Sequence, residues 1–458
     1  MTAGWLSELI ERSRPRALEL HAAAINPQFV RVLRTIGFDR EWVRASGAHL
    51  WDAAGQRYLD TLGGYGMFNV GRNNPRVREA LVEALGLETP NSVQLGVSVL
   101  PALLAGRLLE RAPRRLRRVL FTSSGTESTE AAIKLARAAT GRPRVVFAEN
   151  AFHGLTLGSL SACGRSEFTR AFGPLVPGFT AVPFNDPDAL ERELRTEDVA
   201  LVLLEPIQGK VVGMPEDGYL PAVQELCRRH GTLFCCDEVQ TGLGRTGRMF
   251  ALEHWGLEPD LVTVAKSLSG GYVPSGACLM SEWVFEQVFN SMENAVRHGS
   301  TFAPNDIAMA AGLATLRVLD EEGLVERAAR LGDLLTERTR HLVERYGIVR
   351  DTRGRGLLWG IEFGEPRRGR GTWRLVERAQ PGLFSQFVVG PLFHDHRVLS
   401  QVSGHGENII KILPPLTLTE DDIDWFAGAL EAVVAEAERV PRAAARFVGN
   451  VAARRLGR

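Results

Sequence analysis

Residues 260–271 read Asp260-Leu261-Val262-Thr263-Val264-Ala265-Lys266-Ser267-Leu268-Ser269-Gly270-Gly271. This is a short apolar strand that ends on a lysine and runs into a Ser/Gly loop. A strand with no polar alternation is one buried on both faces, as in a parallel sheet covered by helices. A lysine at the mouth of such a strand is poorly solvated, and desolvation disfavours its charged form. The neutral amine is a nucleophile toward aldehydes. The ordinary alternative is a solvated lysine capping a strand, and this segment alone does not separate the two.

Working outward, the same texture recurs. Val119–Thr122, Arg144–Ala148, Leu201–Glu205, Thr232–Asp237, Leu261–Ala265 and Ala277–Met280 are candidate strands. Helical patterns lie between them, such as Glu127–Ala139 and Leu220–His230. Alternating strands and helices predict an α/β doubly wound domain over about residues 70–335, with ligands at the carboxyl ends of the strands. Residues 1–69 read as an N-terminal arm, a hairpin over Trp42–Asp60 and part of a second unit. The glycine cluster Gly63-Gly64-Tyr65-Gly66 marks a place where backbone passes something closely. Residues 336–458 read as a smaller α+β domain. Its strands are Ile348–Asp351, Leu357–Phe363 and Ile409–Leu413, and its helix is Phe384–His394. A basic glycine loop falls at Arg367–Arg370, and a basic tail, a candidate amphipathic helix, runs from Val440 to Arg458.

Several strand ends carry chemistry-bearing residues. Ser123-Ser124-Gly125-Thr126-Glu127 follows a strand and opens a helix, with the S-x-x-E spacing of a capping box. Free N–H groups and the dipole at such a terminus suit a phosphate. Asp237 and Glu238 end the strand before Val239 and Gln240. A buried aspartate needs a partner, and a protonated ring nitrogen is one. Phe152-His153-Gly154 lies past another strand end and offers a ring for stacking. Each feature alone has an ordinary reading: a helix cap, a turn cap, a core phenylalanine. Together with Lys266 they are the parts of a pyridoxal phosphate site.

Composition narrows the class. The chain has 458 residues, 45% of them hydrophobic and 24% charged, with 54 basic residues against 54 acidic. That balance gives no reason to expect nucleic acid or a membrane surface as partner. No apolar run approaches the roughly 20 residues of a membrane helix, and the first residues lack a signal-peptide pattern. A cytoplasmic protein is expected. Five cysteines without C-x-x-C spacing read as buried small hydrophobes. His394 and His396 lack the further ligands a metal site needs. Gly242-Leu243-Gly244-Arg245-Thr246-Gly247 matches G-x-G-x-x-G, but a dinucleotide fold wants that motif in its first strand–helix turn.

The motifs together resemble the class III, or ornithine-type, pyridoxal-phosphate aminotransferases of fold type I. The resemblance covers residues 30–435 and rests on seven stretches. They are SSGTES (123–128), FHG (152–154), EPIQG (205–209), DEVQTGLGRTG (237–247), AKSLSGG (265–271), GSTFAPN (299–305) and PPLTLTEDD (414–422). FHGLTLGSLSACG and FGPLVPGF look nearest to putrescine and related amine aminotransferases.

The resemblance implies pyridoxal 5'-phosphate held covalently by Lys266 in a large domain, with a smaller α+β domain built from both termini. Asp237 would pair with the pyridine nitrogen, Val239 and Phe152 would flank the ring, and Gln240 would bond the ring oxygen. Glu205 would support that network, with His153 beside it. Ser124, Gly125 and Thr126 would bind the phosphate, and Thr301 would complete it from the other subunit of a homodimer. Three positions depart from the family pattern. Lys411 stands where an arginine usually clamps an α-carboxylate, Lys210 where a glutamate pairs with that arginine, and Leu155 where a basic residue is common. A lysine lacks the bidentate fork of arginine.

The candidate substrate-side residues are therefore Lys411, Lys210, Leu155 and Tyr65. The expected reaction moves an amino group between an amine, ω-amino compound or unusual amino acid and a 2-oxo acid, 2-oxoglutarate or pyruvate. Racemisation or epimerisation, aminomutation and decarboxylation share the cofactor residues and remain alternatives. So does transamination of an aldehyde on an acidic carrier protein docked at the basic tail.

Overall fold

The computed structural model describes residues 4–92, 95–366, 369–404 and 406–456, with side chains to residue 449. Arg367 and Arg368 of the basic loop, and the arginine side chains at 454, 455 and 458, lie outside the described residues.

Seven strands form the central sheet. In spatial order they are Leu116–Thr122, Gly276–Ser281, Leu261–Val264, Leu233–Asp237, Val199–Leu204, Arg144–Ala148 and Phe179–Val182. Gly276–Ser281 runs antiparallel to both neighbours, and the other pairings within the sheet are parallel. Val199–Leu204, Leu233–Asp237 and Leu261–Val264 are buried at every position. Helix cover on both faces makes that possible, and it is why these strands are apolar without alternation. Each Leu or Val so buried contributes about 1.5–3 kcal/mol. The edge strand Phe179–Val182, which periodicity does not reveal, is only partly buried.

The helix Gly125–Thr140 crosses this sheet and buries Ala131, Ala132, Ile133, Leu135 and Ala136. Its N-cap is Ser124, whose Oγ accepts the Glu127 N–H at 3.3 Å. The reciprocal arm of the capping box falls one residue upstream, where Glu127 Oε2 accepts the Ser123 N–H at 2.6 Å.

Two four-stranded sheets flank this body. One joins Trp42–Ser46, His49–Asp52 and Arg57–Asp60 with Val398–Leu399, so the expected hairpin is three strands that recruit a fourth from the far end of the chain. The other joins Val349–Arg355, Leu358–Phe363, Ile409–Ile412 and Gln401–Val402, all antiparallel. A Cβ on Gly63 (φ 53°) would collide with the Leu413 carbonyl, which explains the glycine cluster. Arg245, from the G-x-G-x-x-G stretch, is fully buried and ties the units together. Its guanidinium donates to the carbonyls of Leu357 (3.1 Å) and Pro414 and to Asn69 Oδ1 (2.5 Å). Burial pulls its proton affinity down to about 9.

The C-terminal helix Val440–Leu456 packs against Pro27–Ile36 and Phe384–His394. Its Arg446 is held by Asp395 (2.5 Å) and Glu436 (2.6 Å). All five cysteines are buried and unpaired. No described helix is long and apolar enough to cross a membrane. Among the described residues no cluster of three or more His, Cys, Asp or Glu side chains is placed to hold a metal.

Candidate active site

A cavity of about 810 Å³ opens at the carboxyl ends of the central strands. That is where a doubly wound sheet places its ligands, because strand-to-helix loops diverge there. Fourteen of the fifteen candidate residues line it: Tyr65, Ser124, Gly125, Thr126, Phe152, His153, Leu155, Glu205, Lys210, Asp237, Val239, Gln240, Lys266 and Lys411. The exception is Thr301, which sits in an exposed turn away from the lining.

Lys266 follows the strand Leu261–Val264 and begins a short 3₁₀ turn. Its φ of 45° lies in the left-handed region, a conformation that costs a non-glycine residue of order 1–3 kcal/mol and recurs at functional sites. Burial lowers the proton affinity of Nζ, with Asp237 and Glu205 opposing and Lys210 adding to the fall. The amine is thereby biased toward its nucleophilic form.

Asp237 ends the neighbouring strand and is 3% exposed. Its Oδ1 accepts the Val239 N–H (3.0 Å) and the Thr263 hydroxyl (3.0 Å). Oδ2 meets His153 Nδ1 at 2.7 Å. His153 therefore lies behind the carboxylate and fixes its direction. Its Nε2 is buried and has no partner among the described residues. Glu205, from the strand Val199–Leu204, accepts the N–H groups of Gly209 (2.9 Å) and Phe152 (3.2 Å). Burial raises the Glu205 carboxyl, offset by His153.

A family model for class-III aminotransferases matches residues 37–434. The chain belongs to the class-III aminotransferase family. Aminotransferase PigE of Serratia sp. (strain ATCC 39006) is 36% identical, with 93% of this chain and 54% of that protein covered. The chain thus spans about half the length of this curated relative. Among solved structures, an amine transaminase from an uncultivated Pseudomonas species, in its PLP-bound form, is 32% identical. It covers 86% of this chain and 94% of that one at a TM-score of 0.77. The ornithine aminotransferase of Toxoplasma gondii ME49 is 30% identical over 87% and 91% at the same TM-score. These structures carry the fold type I architecture expected of the chain.

The cofactor of the family is pyridoxal phosphate, and the residues present fit it. At the start of Gly125–Thr140 the first-turn N–H groups have no helical acceptor. Ser123 and Ser275 line the cavity, and their Oγ atoms are buried without partners among the described residues. Gly276 packs against the Ser124 carbonyl at 2.8 Å from where its Cβ would be, which brings Ser275 to this helix start. Unpaired hydroxyls beside free N–H groups suit phosphate oxygens. A Cβ on Gly125 would stand 2.9 Å from Val239 Cγ1, so the helix start and the segment after Asp237 close on one another. Thr126 Oγ1 is already shared with Thr156 (2.7 Å) and Ser159 (2.6 Å), which leaves its backbone N–H as the cavity donor.

Ser123 and Ser275 escape sequence reasoning. Ser123 hides behind the cap serine, and Ser275 precedes a strand with nothing to mark it as polar lining.

On the opposite wall, Lys411 comes from the strand Ile409–Ile412 and is 4% exposed. Its Nζ donates to the Gly209 carbonyl and, at 3.2 Å, to Gln240 Oε1. Gln240 Nε2 donates to the Tyr65 carbonyl at 3.2 Å. Burial, with Lys210 and Lys266 nearby, brings the Lys411 ammonium down to about 7. Tyr65 itself has φ 62° and its ring is exposed at the mouth, as is Leu155.

Proposed function

We propose that this chain is a pyridoxal-phosphate-dependent aminotransferase that moves an amino group between an amine or ω-amino compound and a 2-oxo acid. The observation that carries the reading is the single cavity wall that combines Lys266, a buried oriented Asp237 and a helix start with spare donors. When bound, pyridoxal phosphate supplies an aldehyde carbon for amines and a ring that accepts the electron pair left by a departing proton.

The chain's own residues would do the rest. Ser123, Ser124, Ser275 and the N–H groups of Gly125 and Thr126 would hold the phosphate. Asp237, kept in place by His153, Thr263 and the Val239 N–H, would face the ring nitrogen. Phe152 and Val239 would pack on the two ring faces. Lys266 Nζ would provide the anchoring amine and, once released, carry a proton to and from the substrate carbon.

Lys411 and Lys210, in place of the usual arginine and glutamate, favour donors without an α-carboxylate. The exposed turn at Thr301 supports a homodimer in which each subunit completes its partner's phosphate site. The balance of 54 basic against 54 acidic residues supports a cytoplasmic setting.

The test is direct. Purified protein with pyridoxal phosphate should change its absorption spectrum on adding an amine and consume a 2-oxo acid stoichiometrically. Lys266→Ala should abolish both. Product formation without consumption of an oxo acid would point instead to racemisation or decarboxylation. Amino transfer by Lys266→Ala would overturn the reading.

A further inference from the structure

Three lysines face one cavity, and they are not equivalent. Lys266 sits at the strand end. Lys411 is enclosed and already donates to the Gly209 carbonyl and Gln240 Oε1. An ammonium has three donors, and in Lys411 two of them serve to fix Gln240 against the loop that carries Gly209.

Lys210 differs. Its Nζ lies 5.1 Å from the ring centroid of Phe152 and 4.6 Å from that of Phe168. The two rings meet edge to face at 5.1 Å. Among the described residues Lys210 Nζ has no hydrogen-bond acceptor and no carboxylate within ion-pair range. Its backbone, by contrast, is fixed, because the Ser403 hydroxyl donates to the Lys210 carbonyl. Lys210 is close enough to Lys266 and Lys411 to lower the proton affinity of both. A cation resting on aromatic faces is held far less firmly than one in a charge-assisted hydrogen bond. Its four-carbon stem lets it turn from the rings toward an anion.

We infer that Lys210 is the residue that recognises the carboxylate of the 2-oxo acid. Lys411, at the position where the family places its arginine, is a positioning residue for Gln240. With the acid bound, the Lys210 ammonium leaves the rings of Phe152 and Phe168 and donates to a carboxylate oxygen. With an amine or aldehyde that carries no carboxylate bound, it stays on the rings, and the same wall presents an apolar surface to the substrate's chain. One site thereby takes a partner with a carboxylate and a partner without one in turn. This inference rests on the aminotransferase reading above.

The test uses the full-length holoenzyme and two variants, Lys210→Gln and Lys411→Gln. The first readout is calorimetric binding of glutarate, a dicarboxylate with neither an oxo nor an amino group. Lys210→Gln should weaken it by about 10-fold or more, the scale of one lost charge-assisted hydrogen bond. Lys411→Gln should weaken it less. The second readout is the ratio of kcat/KM for 2-oxoglutarate to kcat/KM for an uncharged aldehyde such as hexanal. That ratio should fall at least 10-fold in Lys210→Gln, chiefly through KM for the acid.

Equal glutarate affinity in wild type and Lys210→Gln would overturn the inference. So would a larger loss in Lys411→Gln than in Lys210→Gln. Absence of amino transfer in the wild type, with glutarate binding still dependent on Lys210, would count against the aminotransferase reading alone.

Discussion

Removing the buried ammonium of Lys411 tests the electrostatics of the cavity through stability. Lys411 is 4% exposed and burial lowers its proton affinity from 10.5 to about 7. Between those values the unfolded chain binds the proton and the folded chain does not, so stability rises with pH across that window. The destabilisation is fully present below about pH 7 and is released as pH rises toward 10.5. At about 1.4 kcal/mol per tenfold change in proton affinity, it amounts to about 4 kcal/mol at pH 7 and about 2 kcal/mol at pH 9.

Lys411→Met removes this destabilisation but leaves the Gly209 carbonyl and Gln240 Oε1 without their donor, at about 1–3 kcal/mol each. The variant should thus be near wild type in stability at pH 7. Relative to wild type it should lose about 2 kcal/mol between pH 7 and pH 9. The pH-dependent part does not depend on what the lost hydrogen bonds are worth. Urea unfolding of the cofactor-free proteins, followed by tryptophan fluorescence at both pH values, measures it. A wild-type-minus-variant difference that is the same at pH 7 and pH 9 would refute the account of Lys411 as a desolvated amine.

Ser275→Ala removes a buried hydroxyl that has no partner among the described residues. It should leave the melting temperature of the cofactor-free protein within about 2 °C while weakening pyridoxal phosphate binding by about 5–10-fold, a neutral hydrogen bond's worth, as read by equilibrium dialysis. Arg245→Met strands the acceptors of Leu357, Pro414 and Asn69. Partly offset by the loss of a buried charge, it should cost about 2–4 kcal/mol in urea unfolding, and Arg245→Lys should restore little of it. His153→Phe should leave Asp237 Oδ2 without its 2.7 Å partner and lower kcat by about 10-fold or more, since a carboxylate held through Oδ1 alone loses part of its preorganisation.

How much of this could be read from the chain alone depended on the range of the forces involved. Val199–Leu204 and Leu261–Val264 were legible because burial on both faces leaves a continuous apolar run. The residues that end those strands were legible as a site because the fold type puts strand ends together. Phe179–Val182 was not, since a half-covered edge strand has neither a continuous nor an alternating pattern. Val398–Leu399 exists as a strand only through Leu59 and Asp60, far away in sequence, and the two-residue strand Gln401–Val402 is too short to leave a pattern of its own.

Side-chain partners were the least legible. Lys210 and Lys411 both read as lysines on the substrate side. Only the structure separates one that is spent on carbonyl oxygens from one that rests on two phenylalanine rings. Arg245 sat inside a motif rejected as a dinucleotide site, and its role in joining three segments depends on Asn69, Leu357 and Pro414 converging in space.

The most direct measurement is reductive trapping. The protein loaded with pyridoxal phosphate is treated with borohydride, digested and analysed by mass spectrometry. A pyridoxyl phosphate adduct on the peptide carrying Lys266, absent when an excess of amine substrate is added first, is the predicted result. An adduct on Lys210 or Lys411 instead, or none on any of the three, would contradict the assignment of Lys266.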